Sequence, residues 1–222
     1  MIIPSLGIAS TPVEDYNASI DAGDINGAAQ AEANMNAMDP SGDTAANASE
    51  LKAKNALIKV VDAKLNLIYK DKIEIAAKSI RLMPVNLSAR IMDEMSLRDL
   101  PATVKVLREI LASSAEEEVL SRILALMDPV CCANLLMEWG GLYPDEKATA
   151  AQTLLDIYKQ NQEAGIHVLS IISDSDIDYA GDIMGILRLL DQPTATAMLD
   201  GLGLINPGSA AILELQLLSP EL

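Results

Sequence analysis

Three aspartates at alternating positions have the spacing most suggestive of chemistry: Asp174, Asp176 and Asp178. Carboxylates at this spacing match the first three ligand positions of an EF-hand loop, which also requires glycine at position six and glutamate at position twelve. Tyr179 and Gly185 occupy those positions, so an EF-hand is excluded. The sequence instead predicts an acidic N-cap for a helix over 177–190, because carboxylates accept hydrogen bonds from its unpaired amides. A weak Mg²⁺ or Ca²⁺ site is the alternative.

One histidine and two adjacent cysteines are the other groups with catalytic potential. His167 lies in an apolar run with no nucleophile close in sequence, so we expect a packed side chain and not a catalytic base. Cys131 and Cys132 follow Pro129 at a predicted helix start, where the helix dipole can lower the pKa of a thiol. At least one of them should face the core. We therefore predict a protein that is not an enzyme, with no catalytic residue and no cofactor.

The composition favours helices. Half of the residues are hydrophobic, and the chain contains no Phe, one Trp and five Tyr. A core of Leu, Ile, Met and Ala suits closely packed helices, whereas sheets draw more on β-branched and aromatic residues. The net charge of -16 argues against nucleic acid as a partner, since its binders usually present a basic face.

The charge is distributed unevenly along the chain. Residues 1–50 contain eight acids and no Lys or Arg, whereas residues 51–108 contain twelve basic and six acidic residues. Residues 109–222 contain four basic and eighteen acidic residues. This asymmetry predicts a basic element that docks on an acidic surface of this chain or of another protein. The alternative is an acidic surface that serves only to keep the protein soluble.

Two segments precede the most regular part of the sequence. Residues 1–49 are rich in Ala, Asn, Asp and Ser, which predicts a flexible acidic arm with a short Ala-rich helix near 26–38. Residues 50–81 predict a long basic amphipathic helix, continuous or broken into two, with Ser49 as its N-cap. The helix should end before Pro84, because proline disfavours helical geometry in the residue before it.

The location can also be predicted from composition. No apolar run reaches the 18 or so residues needed to span a bilayer, and the N-terminus lacks the basic start of a secretory signal. We therefore expect a cytoplasmic protein without membrane insertion. Export by a non-Sec route is the alternative, because the arm has the loose, Lys-free composition of many such export signals.

Residues 82–222 contain a repeated pattern that predicts a domain of stacked helix hairpins. In this pattern Asp128 or Asn206 caps a new helix and proline occupies its first turn. The spacing predicts helices of ten to twelve residues joined by turns of two to four residues, which must stack because none buries its apolar face alone. The four clearest copies are LMPVNLSARIMDEM (82–95), LMDPVCCANLLMEW (126–139), LLDQPTATAMLDGL (189–202) and LINPGSAAILELQL (204–217).

An alanine recurs in each copy and should allow a neighbouring helix to approach closely. The four alanines are Ala89, Ala133, Ala197 and Ala211. SPEL (219–222) resembles the start of a further copy, so the last helix could leave an apolar end for self-association. The sequence thus predicts an all-α solenoid of short helix hairpins.

The pattern of proline after a Met-Asp or Leu-Asp step, followed by alanine and two large aliphatic residues, resembles one superfamily of helical repeats. It is similar to repeats of the N-terminal cytosolic domain of MgtE magnesium transporters, the flagellar switch protein FliG and the motility chaperone MotE, over about residues 75–222. The resemblance implies a right-handed superhelix used for docking and assembly. The pore of MgtE, the membrane anchor of MotE and the torque-helix charges of FliG have no counterpart in this sequence, so the likeness supports a scaffolding role only.

The expected function is therefore that of an adaptor or assembly factor for another protein. A role in a flagellar or secretion apparatus is the specific version of this expectation. An exported structural subunit and a module that responds to divalent cations are the alternatives. Gly181 and Gly185, four residues apart, should mark close helix packing. The candidate partner-binding residues are the scarce aromatics Trp139 and Tyr143, and Lys59, Lys64 and Lys70 of the basic helix. Burial of Trp139 under the following turn is the competing expectation.

Overall fold

The computed structural model describes residues 46–112 and 117–218. Residues 1–45 of the predicted arm, with its Ala-rich helix, and the SPEL segment lie outside these ranges. Within them the chain forms eleven α-helices and one 3₁₀ turn, and no strand, so the all-α prediction is confirmed. The helices are α1 Ala46–Tyr69, α2 Ile73–Leu82, α3 Val85–Arg98, α4 Leu100–Leu111, α5 Glu117–Leu124, α6 Pro129–Leu142, α7 Lys147–Gln160, α8 Gln162–Ser175, α9 Ile177–Leu190, α10 Gln192–Ile205 and α11 Pro207–Leu218, and the 3₁₀ turn is Pro144–Glu146.

Helices pack on neighbours that are close in sequence. Each helix from α2 to α9 packs on the next helix but one, and each of them except α5 also packs on the next, so odd-numbered and even-numbered helices form two adjoining rows. Among the described helices, extensive contacts do not join elements more than three apart in chain order. The core is accordingly a continuous aliphatic seam between the two rows.

The last five described helices, α7 to α11, are joined by single residues, which corrects the predicted turn length. Asn161, Asp176 and Asp191 each end one helix and cap the next, from an extended backbone with φ between -151° and -155°. Their side chains accept hydrogen bonds from amides three residues later, at 3.2, 2.9 and 3.2 Å. Because the cap satisfies an unpaired amide of the new helix, one residue suffices for the reversal. The helices are longer than expected, at 14 residues for α8, α9 and α10.

The basic N-terminal segment forms two helices. The break follows Tyr69 and contains Asp71, whose φ of 56° lies in the left-handed region that aspartate tolerates better than most residues. The second helix ends at Leu82, so the predicted stop before Pro84 is confirmed. Ser49 lies inside α1, which begins at Ala46, so its prediction as an N-cap is wrong.

Alanines permit close helix packing, but not all at the predicted positions. Ala89 and Ala133 are buried as expected. Ala197 and Ala211 are exposed, and Ala195 and Ala210 take the buried positions in α10 and α11. The single-residue turns change the rotation at which a helix starts, so aligning the copies by their prolines gave the wrong face for the last two helices.

Candidate docking surface

The three aspartates act separately, each with its own hydrogen-bond donor. Asp176 caps α9, which confirms the predicted N-cap of a helix over 177–190. Asp174 accepts a hydrogen bond from the Asn206 side chain at 2.7 Å, and Asp178 accepts one from Gln216 Nε2 at 3.2 Å. In the part of the chain that the structure describes, His, Cys, Asp and Glu do not assemble into a group of three or more able to hold a metal ion.

The two cysteines are buried free thiols at the start of α6. Burial is the largest effect on both, and it raises the pKa of Cys131 and of Cys132 above the ordinary value. This is opposite in direction to the lowering expected from the helix dipole, because desolvation penalises the thiolate. His167 is half-buried within α8. The geometry of the thiols therefore favours packing over redox chemistry.

The aromatic cluster connects α4, α6 and the 3₁₀ turn. Trp139 is only 1% exposed, and its Nε1 donates to Glu146 Oε2 at 2.7 Å. Arg108 of α4 donates to both oxygens of Glu146, and its guanidinium lies 3.6 Å from the ring centre of Tyr143. The hydrogen bond from Arg108 lowers the pKa of Glu146 below its usual value. Trp139 is buried under the turn, as the competing expectation had it, and offers no surface to a partner in this structure.

The three candidate lysines have different environments. Lys64 is fully buried, and its ammonium group donates to the Ser79 hydroxyl of α2. Lys59 and Lys70 are exposed. Lys64 therefore joins α1 to α2, while the other two lysines contribute to the solvent-facing side of the N-terminal helix.

A groove lies between α9 and α11 at the C-terminal end of the described residues. Its cavity volume is about 1250 Å³. One face of α9 forms one wall, with acids at its start and large aliphatic residues at its end. The α9 residues are Asp178, Gly181, Asp182, Gly185, Ile186, Arg188 and Leu189, and α11 contributes Ile212, Leu215, Gln216 and Leu217.

The helix that forms the other wall is apolar on two sides. Leu213, together with Ala210, packs inward and is fully buried. On the outer side Ile212 is 47% exposed, Leu215 66% and Leu218 75%. Glu214 is the one ionisable residue among the residues of α11. A helix that is apolar all round is normally covered on all sides, so the outer side of α11 has the composition of a contact surface.

The two glycines of α9 differ in what they face. A Cβ at Gly181 would lie 2.3 Å from Gln216 Oε1, so glycine is needed for the close approach of α11 and the packing prediction is confirmed there. A Cβ at Gly185 would meet no atom within 4 Å, so this glycine opens onto the groove. Gln216 Oε1 is buried and accepts no hydrogen bond from the described residues. The groove thus combines an apolar wall, an open backbone position and an unused acceptor.

The sequence analysis did not point to this groove. The signal was present in the near absence of charge from α11 and in Gly185, which the pattern assigned to packing. Comparison with protein-family models, with curated proteins and with solved structures gave no match to this chain. Among the described helices, none combines the length and apolar character that crossing a bilayer requires.

Proposed function

We propose that this chain is a non-enzymatic adaptor or assembly module that binds protein through the α9–α11 groove. The exposed apolar side of α11 carries the proposal, because Ile212 and Leu215 are exposed and line a groove of about 1250 Å³. Grooves of this kind receive amphipathic helices, whose apolar side chains recur every three or four residues. The acids Asp178 and Asp182 line one end of the groove.

The packing of helices on near neighbours supports a solenoid of helix hairpins as the scaffold for this surface. A right-handed superhelix, cytoplasmic location and a place in a flagellar or secretion apparatus are the more specific proposals, and they rest on the resemblance of the proline-centred repeats. Scaffolds of this type gain binding area by repetition, so the surface that ends the array is a natural position for assembly.

Cross-linking on the purified chain and capture from cell extract, followed by mass spectrometry, test the docking function. Gly185→Met should fill the groove without disturbing the fold, because open space surrounds the new side chain. Leu97→Glu is the matched control, since Leu97 is 71% exposed on α3, away from the groove. We expect captured proteins to fall at least about tenfold with Gly185→Met, a loss equivalent to about 1.4 kcal/mol, and to persist with Leu97→Glu. Equal capture by all three proteins would contradict the proposal.

An exported structural subunit is the second candidate. It is favoured by residues 1–50, which contain eight acids and no Lys or Arg. Deletion of residues 1–45 leaves α1 intact and should abolish export if this segment is the address. Normal location of the shortened protein would end that candidate, and it would leave the docking proposal unaffected.

A further inference from the structure

The groove and the apolar helix beside it form a self-complementary pair. We propose that the α9–α11 groove binds α11 of a second copy of this chain, which gives a two-fold symmetric dimer. This inference rests on the proposed docking function and names its partner. The concave element and the convex element lie side by side on one molecule, so a two-fold axis between them fills both grooves at once.

The exposed residues of α11 have the spacing that such a contact needs. Ala211, Leu215 and Leu218 are all exposed, and the last two lie four and seven positions after the first. Residues at this spacing share one side of a helix. They would insert between the walls of the partner copy's groove, where Leu189 is 89% exposed. The result is a core of four helices, α9 and α11 from each copy.

Small residues in α9 allow the approach. A Cβ at Gly185 would meet no atom within 4 Å, and the lack of a side chain at Gly181 lets Gln216 pack directly on the backbone of α9. A helix from the second copy can therefore reach the backbone of α9 at Gly185. These small residues distinguish the groove from a surface that is merely apolar.

The outer side of α1 fits this groove less well. Asn55, Lys59 and Asn66 on that side, and Lys70 just after the end of α1, are exposed and polar. Polar groups on that side would lose hydration against leucines without gaining hydrogen bonds. A head-to-tail contact between α1 and α11 would depend on charge, whereas the two-fold contact depends on apolar area. The two arrangements consequently respond to salt in opposite ways.

The charges near the groove are mostly acidic. Asp178 and Asp182 line it, and the one arginine among its lining residues, Arg188, donates to the Leu217 carbonyl at 3.1 Å. Glu214 lines a smaller neighbouring cavity. Lys147 lies 2.6 Å from Asp182 and offsets part of its charge. Symmetry brings the acids of the two copies towards each other. Added NaCl screens that repulsion, so salt should not weaken the dimer.

Sedimentation velocity and light scattering on the purified full chain, over a wide concentration range, test the dimer. We expect the wild-type mass to rise from 23.6 kDa to about twice that value and no further. Leu215→Glu and Gly185→Met should each weaken association at least about tenfold, equivalent to about 1.4 kcal/mol. Leu97→Glu should dimerise as the wild type does. Melting of both groove variants as monomers checks their fold, and Gly185→Met should be no less stable because glycine disfavours helix interiors.

Other outcomes overturn the two-fold dimer. A wild-type chain that stays at 23.6 kDa at every concentration would do so, as would a dimer that persists in both groove variants. Open-ended oligomers that dissociate as NaCl increases would indicate the head-to-tail contact instead. A monomeric wild type that still captures proteins in a manner blocked by Gly185→Met would refute the dimer while leaving the docking function in place. A dimer that captures nothing further would restrict the docking function to self-assembly.

Discussion

The two ends of the helix array differ in how they meet solvent. Over residues 55–69 the helix α1 buries five large aliphatic residues and turns Asn55, Lys59 and Asn66 outward, and Lys70 just after its end is also exposed. At the other end of the described array, α11 buries one large aliphatic residue, Leu213, and turns Leu215 and Leu218 outward. Repeat proteins need a polar outer side on the terminal unit to end the stack. Of these two helices α1 has such a side and α11 does not, which favours α11 as the proposed contact surface.

The largest expected effect concerns how firmly each terminal helix is held. Leu213→Ala removes the one large anchor of α11 and should cost about 2–4 kcal/mol, with loss of amide protection confined to α11. Leu65→Ala in α1 removes one of five anchors, which are Val60, Val61, Leu65, Leu67 and Ile68. It should lower overall stability by a similar amount while α1 stays protected. Hydrogen exchange of both variants separates local from global opening, and equal local fraying at both ends would break the comparison.

A smaller effect concerns one acid in each half of the array. Asp93 of α3 accepts a hydrogen bond from the Asp128 amide at 3.1 Å, and Asp174 of α8 contacts the cap residue of α11, Asn206. Burial raises the pKa of Asp93 to about 6, above its usual 3.8. Its contribution to stability is therefore complete below pH 3.8 and is lost as the pH rises through about 6.

Asp93→Asn removes this titration. Relative to wild type the variant should gain about 1–2 kcal/mol in unfolding free energy between about pH 4 and pH 7.5, less than the full linkage value because the side chain is only half-buried. Denaturant unfolding at both pH values measures the difference. Asp174→Asn, at an exposed position, is the control and should show a smaller change. A pH-independent difference between wild type and Asp93→Asn would show that the burial of Asp93 does not control its ionisation.

The smallest expected effect is at the polar end. Lys59→Ala with Lys70→Ala removes two exposed charges from the outer side of the N-terminal helix. The melting temperature should change by less than about 2 °C, and the self-association measured by sedimentation should be unchanged. A substantial loss of association in this double variant would place the contact at the N-terminal end and reverse the comparison.

The sequence predicted the helix caps of this fold better than the lengths of its turns and the spacing of its helices. Asp128 and Asp176 as caps, and a helix over 177–190, followed from side-chain chemistry that acts within three residues. Turn length did not follow, because prolines mark the first turn of only some helices and the cap residues set the actual spacing. Asn161, Asp176, Asp191 and Asn206 stand 15 positions apart, a period that the prolines conceal.

The groove was harder to predict for a different reason. Exposure of Leu215 depends on how α11 packs on α9 and α10, which is a property of the folded array and not of the residues of α11 alone. The burial of Trp139 has a similar basis, because Glu146 provides its indole with a hydrogen-bond partner that only folding brings close.

The one-residue connections have a mechanical consequence. Helix α10 is 14 residues long, which corresponds to about 21 Å, and its direction relative to α9 is set by the backbone angles of Asp191. A rotation of about 10° at that residue would displace the far end of α10 by about 4 Å, and α11 would move with it. The directions of the last helices are therefore set by the backbone angles of the capping aspartates and asparagines. Small changes in these few angles would move a whole helix as a unit, without unfolding it.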